Sequence, residues 1–278
     1  MMDILKKRTH PMLNLSKNRL ESSAREFLLG SRVFGPLRSG YQFFFDRTRY
    51  QHRMELRKFY RSFVRPNDLV FDVGAHLGRY AETFADLGAT VVSIEPNPQC
   101  CAQLRSLAKI RRVHVENCAA GETAGRTKLK ICQDSVMSTV VAEWYEEAKR
   151  SPLHRDSIWS ESVEVEVVTL DQLATRYGTP SFVKIDAEGY DDHVLRGMSF
   201  RPRALSFEYN RLLPAAALRC FQSPILESGY EFNFTPGLEL RYASHEWLTR
   251  DEMRGRVSEF VGQQEYGDIF ARATAEIA

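Results

Sequence analysis

An excess of charge of either sign is what this chain most lacks. Its 278 residues hold 38 Lys and Arg against 36 Asp and Glu, a formal net charge of +2. That balance speaks neither for nor against an acidic partner. No basic stripe runs along the chain, so nucleic acid is not an expected partner. The local clusters Lys6-Lys7-Arg8 and the arginines between Arg47 and Arg65 read as solvated helix faces. Cysteine is scarce as well. Cys100, Cys101, Cys118, Cys132 and Cys220 are odd in number and form no Cys-x-x-Cys pair. This argues against a disulfide framework or a zinc site and favours reduced thiols in a cytoplasmic protein. No window approaches the ~20 apolar residues of a membrane helix, so no integral membrane segment is expected. Met1 to Ser23 is polar and basic and lacks the apolar stretch of a secretory signal. Tyr41-Gln42-Phe43-Phe44-Phe45 is apolar but short, and reads as a helix face on the core, with peripheral membrane contact the weaker alternative. There is neither an internal repeat nor a low-complexity tract.

What is present is 43% hydrophobic residues, enough for one large α/β domain or two small ones. Residues 1–66 read as an N-terminal helical extension, with helical spacing over Glu21 to Leu29 and Tyr50 to Phe63 broken by Gly30, Pro36 and Gly40. Arg65-Pro66-Asn67-Asp68 ends it, and residues 67–278 form the main domain. There, short apolar runs alternate with helical segments. Leu69 to Val73, Ala89 to Ile94, Val113 to Glu116, Ser181 to Ile185 and Ala204 to Phe207 read as buried strands. Arg79 to Leu87, Pro98 to Ile110, Thr169 to Tyr177, Asp191 to Met198 and Pro214 to Ser228 read as helices. Thr127 to Ile131 and Ser162 to Val168 alternate like strands, and Tyr230 to Phe234, Leu238 to Tyr242 and Asp268 to Arg272 are candidates for late ones. The pattern predicts an α/β fold, a doubly wound, mostly parallel sheet with helices on both faces. Gln133 to Glu161 is the least regular stretch.

Two strand ends carry chemistry. The first is Asp72-x-Gly74-x-x-x-Gly78, followed some twenty residues later by Glu95 at the end of the next strand. Glycine lets backbone approach a ligand closely, and a carboxylate in the place of Glu95 suits the ribose hydroxyls of an adenosine cofactor. A dinucleotide site wants Gly-x-Gly-x-x-Gly, but His76 and Arg79 stand at its second and third glycine positions and obstruct a pyrophosphate. Asp72 instead suits a cationic ligand, which favours S-adenosyl-L-methionine. The second strand end is Lys184-Ile185-Asp186-Ala187-Glu188-Gly189, where two acids and a lysine meet at the edge that holds Asp72. Charge there needs a partner or a purpose.

These segments, with Ile94-Glu95-Pro96-Asn97-Pro98, Val168-Thr169-Leu170-Asp171-Gln172-Leu173 and Val194-Leu195-Arg196-Gly197, resemble the FkbM-type methyltransferase family in order and spacing from about Asp68 to Arg272. The resemblance implies a class I, Rossmann-like S-adenosyl-L-methionine fold and O-methylation of hydroxyls on sugars or polyketide-like natural products. It implies that Asp72, Gly74, Ala75 and Gly78 line the methionine part of the cofactor, that Glu95 holds the ribose, and that Asn117 lies near the adenine. It implies too that Asp186 and Glu188 face the methyl and the acceptor. His76 stands where such motifs often carry Asn, and is counted with the cofactor residues.

An alcohol acceptor needs a base or a metal. The candidates for the base are Asp186, Glu188, His193 and His76. No ligand spacing is diagnostic of a metal and none is expected, although Asp186, Glu188, Asp191 and Asp192 stand close enough in sequence to keep that alternative open. The expected function is O-methylation of a small molecule or glycan. The alternatives are methylation of a protein or another macromolecule, and a non-catalytic binding protein that keeps the fold. Two structural readings stay open. Trp144, Tyr145 and Trp159 either cover the cofactor and stack on an acceptor or bury a loop against the sheet. The N-terminal helices either cap the site or form a homo-oligomer interface.

Overall fold

The computed structural model describes residues 50–154, 156–210, 212–260 and 266–274. The expectations for Lys6-Lys7-Arg8, Glu21 to Leu29 and Tyr41 to Phe45 lie outside these residues. The chain divides into two units, Met1–Met54 and Glu55–Ala278, and both β-sheets lie in the second. Among the described residues no helix is long and apolar enough to cross a membrane.

Residues 50–60 are helical (α1). The chain then alternates as its apolar runs predict: β1 (Leu69–Val73), α2 (Arg79–Asp86), β2 (Thr90–Ile94), α3 (Pro98–Ala108) and β3 (Val113–Glu116). A small sheet comes next, of order β4-β6-β5, built from β4 (Ala119–Ala120), β5 (Gly125–Cys132) and β6 (Trp159–Val168), with α4 (Ala142–Arg150) between the last two. The main alternation resumes with α5 (Leu170–Tyr177), β7 (Phe182–Ile185), α6 (Asp191–Arg196), β8 (Ala204–Tyr209) and α7 (Pro214–Cys220). β9 (Tyr230–Pro236), α8 (Arg250–Phe260) and β10 (Gly267–Ala273) complete the order. The seven-stranded sheet has the order β3-β2-β1-β7-β8-β10-β9. Its first five strands are parallel, and β10 lies antiparallel between β8 and β9.

From β1 the chain winds outward through β2 and β3, then returns to β7 on the other side of β1. Strand order therefore reverses at β1, and a crevice opens over the carboxyl ends of β1, β2 and β7, where sheets of this kind bind ligands. Strand alternation sorts the side chains between two cores. Phe71, Val73, Val183, Ile185, Leu205 and Phe207 pack with residues of α5 to α8. Val70, Val91, Phe182, Ala204 and Phe270 pack on the opposite face with α1 to α3, where Phe63 lies stacked between Phe182 and Phe270. The period of two places Asp72, Lys184, Glu208 and Asp268 on this second face.

Four expectations need correction. Gln133 to Glu161 is not irregular: it holds a short 3-10 turn, Ser135–Met137, and the helix α4. The expected helix Pro214 to Ser228 stops at Cys220 and gives way to a 3-10 turn at Pro224–Leu226, because Pro224 has no N–H to continue the ladder. Leu238 to Tyr242 is not a strand; Gly237 turns the backbone to a φ of 57°, and Leu240 and Tyr242 pack on the α1 side as loop residues. The helix α8 is absent from the expected elements, because it buries only Met253 and Val257, one turn apart.

Candidate functional site

Asp72 is the fourth residue of β1 and is 1% exposed. Its Oδ2 has no hydrogen-bond partner. Burial raises its pKa to about 7, and Asp186 and Glu95 push the same way, while Lys184 and the Ala81 amide at the start of α2 oppose the shift. After β1 the chain turns through Gly74 at a φ of 74°, and a Cβ there would lie 1.8 Å from the Asp186 carbonyl oxygen. Only glycine permits that approach, so the loop after β1 rests directly on the loop after β7. Gly78, at a φ of 88°, caps α2, and a Cβ on it would meet the Leu104 side chain at 2.8 Å. Ala75 is buried beside it.

Glu95 ends β2 and is 6% exposed. Its two oxygens accept one backbone amide each, from His76 at 2.7 Å and from Asn97 at 2.8 Å. Each oxygen keeps a lone pair for a further donor. Burial raises its pKa, and the two amides partly offset the rise. His76 sits at a φ of 49° and holds Ser135 Oγ at 2.6 Å through Nε2, so the turn after β5 is tied to the glycine loop. Burial lowers its pKa, while Asp134 and Asp186 pull the other way. Asn117, exposed after β3, donates to the Glu95 and Pro96 carbonyls and ties the tips of β2 and β3.

At the tip of β7, Lys184 is 1% exposed, and its Nζ lies 2.8 Å from Asp186 Oδ2 and 4.4 Å from the centroid of the Tyr80 ring. Burial alone would lower its pKa, yet Asp186, Asp268, Tyr80 and Asp72 together hold it well above the usual value. One carboxylate oxygen each of Asp186, Glu188 and Glu208 lie within 4.8 Å of one another. Carboxylates so close need a cation, a proton or both among them. Glu188 sits at a φ of 47°, and its carbonyl accepts Thr139 Oγ1 at 2.9 Å. The cluster itself is half-buried, and Asp191, which is buried, caps it from behind, accepting the Ala187 and Glu208 amides at 3.3 and 3.1 Å.

The geometry thus brings Asp72, Gly74, Ala75, His76, Gly78, Glu95, Asp186 and Glu188 to adjoining strand tips. His193 is occupied elsewhere. Its ring stacks on Tyr190 at 4.3 Å, and its Nδ1 lies 2.9 Å from Arg196. Trp144 is 1% exposed and packs against Gly189, where a Cβ would meet its Cδ1 at 2.7 Å. It therefore buries α4 against the Glu188 loop rather than offering a face to an acceptor. Glu208 and Asp268 are not among the expected site residues. The signal available for Glu208 was an acid closing an apolar run, as Glu95 closes β2. Asp268 stands near the start of β10 and gave no such signal. A separate cavity of about 700 Å³ is lined by Arg126, Glu166, Gln172, Arg176 and neighbouring residues, none of which belongs to the strand-tip set.

The profile of the methyltransferase FkbM domain matches residues 72–219. The chain is 30% identical over 184 residues to the 31-O-demethyl-FK506 methyltransferase FkbM of Streptomyces tacrolimicus. That match takes in 56% of this chain and 66% of the relative, just under two thirds of its length. Among solved structures, precorrin-6y C5,15-methyltransferase from Geobacter metallireducens aligns over 81% of this chain and 87% of its own, with 13% identity and a TM-score of 0.38. Fibrillarin from Aeropyrum pernix, with natively bound S-adenosyl-L-methionine, aligns over 75% of this chain and 68% of its own, with 10% identity and a TM-score of 0.39.

Proposed function

The chain belongs to the FkbM methyltransferase family, and from that membership we propose that it transfers a methyl group from S-adenosyl-L-methionine to a hydroxyl of a sugar, a glycan or a natural-product small molecule. The observation that carries this reading is the stacking of the Gly74 turn on the Asp186 loop. It sets a cofactor cradle and an acid cluster side by side at one sheet edge.

The residues present fit such a cofactor. Asp72 offers a buried carboxylate oxygen without a partner, suited to a cationic amino group. Glu95 offers free lone pairs on oxygens already fixed by two amides, suited to ribose hydroxyls. Asn117 stands at the neighbouring strand tip, where we place the adenine. When bound, the cofactor supplies a methyl already activated by its sulfonium, so the protein's task is to align the acceptor and to take its proton. We assign the proton to the carboxylates at the ends of β7 and β8 rather than to His193, whose ring is held by Tyr190 and Arg196. The choice of a hydroxyl is supported by the O-methyl chemistry in the name of the Streptomyces relative.

Incubation with methyl-tritiated cofactor and fractionated cell extract tests the reading. Label recovered as a methyl ether on a small molecule or glycan is the expected result. Label on protein or nucleic acid alone overturns the acceptor class. Calorimetry that detects no cofactor binding by the wild-type chain overturns the reading entirely.

A further inference from the structure

Glu208 lies outside every motif that marks the cofactor cleft, yet it belongs to the acid cluster. It stands on β8, one strand beyond β7, with a carboxylate oxygen within 4.8 Å of both Asp186 and Glu188. Its Oε1 accepts Asn210 Nδ2 at 3.1 Å, and its Oε2 is buried without a partner. The cation within the cluster, Lys184, is engaged by Asp186 Oδ2. Glu188 and Glu208 thus face one another as two carboxylates with no cation left between them. We propose that Glu188 and Glu208 share a single proton in the resting protein, release it when the cationic methyl donor occupies the cleft, and then serve as the base that takes the acceptor's hydroxyl proton.

The inference deepens the methyl-transfer reading and rests on it. The two glutamates face Asp186 and Lys184 from β7, Asp191 from α6, Asp134 from the turn after β5 and Asp268 from β10. With Lys184 the sole cation among these groups, burial and the surrounding acids raise both glutamates well above the ordinary carboxylate range. A single proton held between close carboxylates is the arrangement such crowding favours. The cleft adjoins the pair because the Gly74 turn touches the Asp186 loop. Positive charge arriving there favours the doubly ionised pair. In the transfer itself, the acceptor's O–H proton passes to the pair. Its oxygen forms a bond to the methyl carbon as the methyl–sulfur bond breaks, and the electron pair of that bond stays on sulfur as a neutral thioether. The pair is left holding one proton, as at the start.

Calorimetric titration of the full chain with S-adenosyl-L-methionine, in buffers of different ionisation heat near neutral pH, counts the protons released. Wild type is expected to release about one proton more than Glu188→Gln or Glu208→Gln. The double variant should lose no more than either single one, because only one proton is shared. Glutamine at 208 keeps the oxygen that receives Asn210, so the fold has no reason to change. Before cofactor is added, infrared spectra should show a protonated-carboxyl band in wild type that both single variants lack. Equal proton release by wild type and Glu208→Gln overturns the proposal, and so do additive losses in the double variant. Magnesium chloride binding to wild type and not to Glu208→Gln also overturns it, since a metal would then sit where the proton is placed. Absence of cofactor binding with the infrared band intact refutes the methyl-donor reading and the trigger but not the resting pair. Binding without excess proton release refutes the pair alone.

Discussion

Glu95 and Asp72 meet the same crevice in opposite states. Both oxygens of Glu95 are fixed by amides, whereas one oxygen of Asp72 has nothing to hold. Replacing Glu95 with alanine should therefore weaken S-adenosyl-L-methionine binding by about 1–3 kcal/mol in a calorimetric titration, through lost charged hydrogen bonds. Unchanged affinity would remove it from ribose binding. Asp72 makes a prediction about stability. Its pKa is raised from 3.8 to about 7, so the folded protein holds this proton more tightly than the unfolded chain does. Stability from this group is full below the ordinary carboxylate range and is lost as pH rises toward about 7. Asp72→Asn should thus leave the ligand-free protein unaltered in acid and raise its stability above pH 7, by an amount on the order of a few kcal/mol. Chemical denaturation at two pH values checks the sign. A gain in acid, or a loss at alkaline pH, would show that the orphaned oxygen is not under strain from its own charge.

The docking of α4 decides the shape of the loop that carries Glu188. Trp144 fills the space above Gly189, and Thr139 holds the Glu188 carbonyl. Trp144→Ala should cost about 3–5 kcal/mol in urea unfolding, the range for a fully buried large aromatic. A cost below 1 kcal/mol would mean that α4 is not part of the core. This helix also marks where the sequence stops being legible. β1, β2 and β7 could be read because each is a short, mostly apolar run closed by glycine or an acid. α4 could not, because its buried face is only Trp144 and Ala148, four residues apart among seven others that are mostly charged. α8 hides in the same way behind Met253 and Val257. Leu238 to Tyr242 misled for the opposite reason. Leu238, Leu240 and Tyr242 alternate as a strand does, yet Leu238 is exposed while the other two rest on the α1 side. The residues expected in the cofactor cleft could be picked out because they stand at or just after strand ends, Asp72 before the glycine turn and Glu95 closing an apolar run. Glu208 closes an apolar run as Glu95 does, but it and Asp268 reach the site through the pairing of β8 with β7 and with β10, which lies outside any local pattern.

Across the whole molecule, Lys184 is the cation around which the α1-side core is charged. Asp72 from β1, Asp186 from β7, Asp268 from β10 and Tyr80 from α2 all converge on it. Removing it would strand buried Asp72 and half-buried Asp186 and Asp268 at once. Lys184→Met should destabilise the fold by about 3–5 kcal/mol, the usual result of breaking a buried pair from one side. The loss should shrink in acid as those carboxyl groups take up protons. A loss that does not change with pH would mean that packing, not charge, is what Lys184 provides. The position of β10 adds a consequence in time. It runs antiparallel between β8 and β9, although β8 precedes it by some sixty residues in the chain. While a ribosome is still making residues 261–273, β8 and β9 have no neighbour to join them and Lys184 has no Asp268. A nascent chain at that stage exposes unpaired strand edges, and Lys184 gains its full set of acidic neighbours only once β10 has been made.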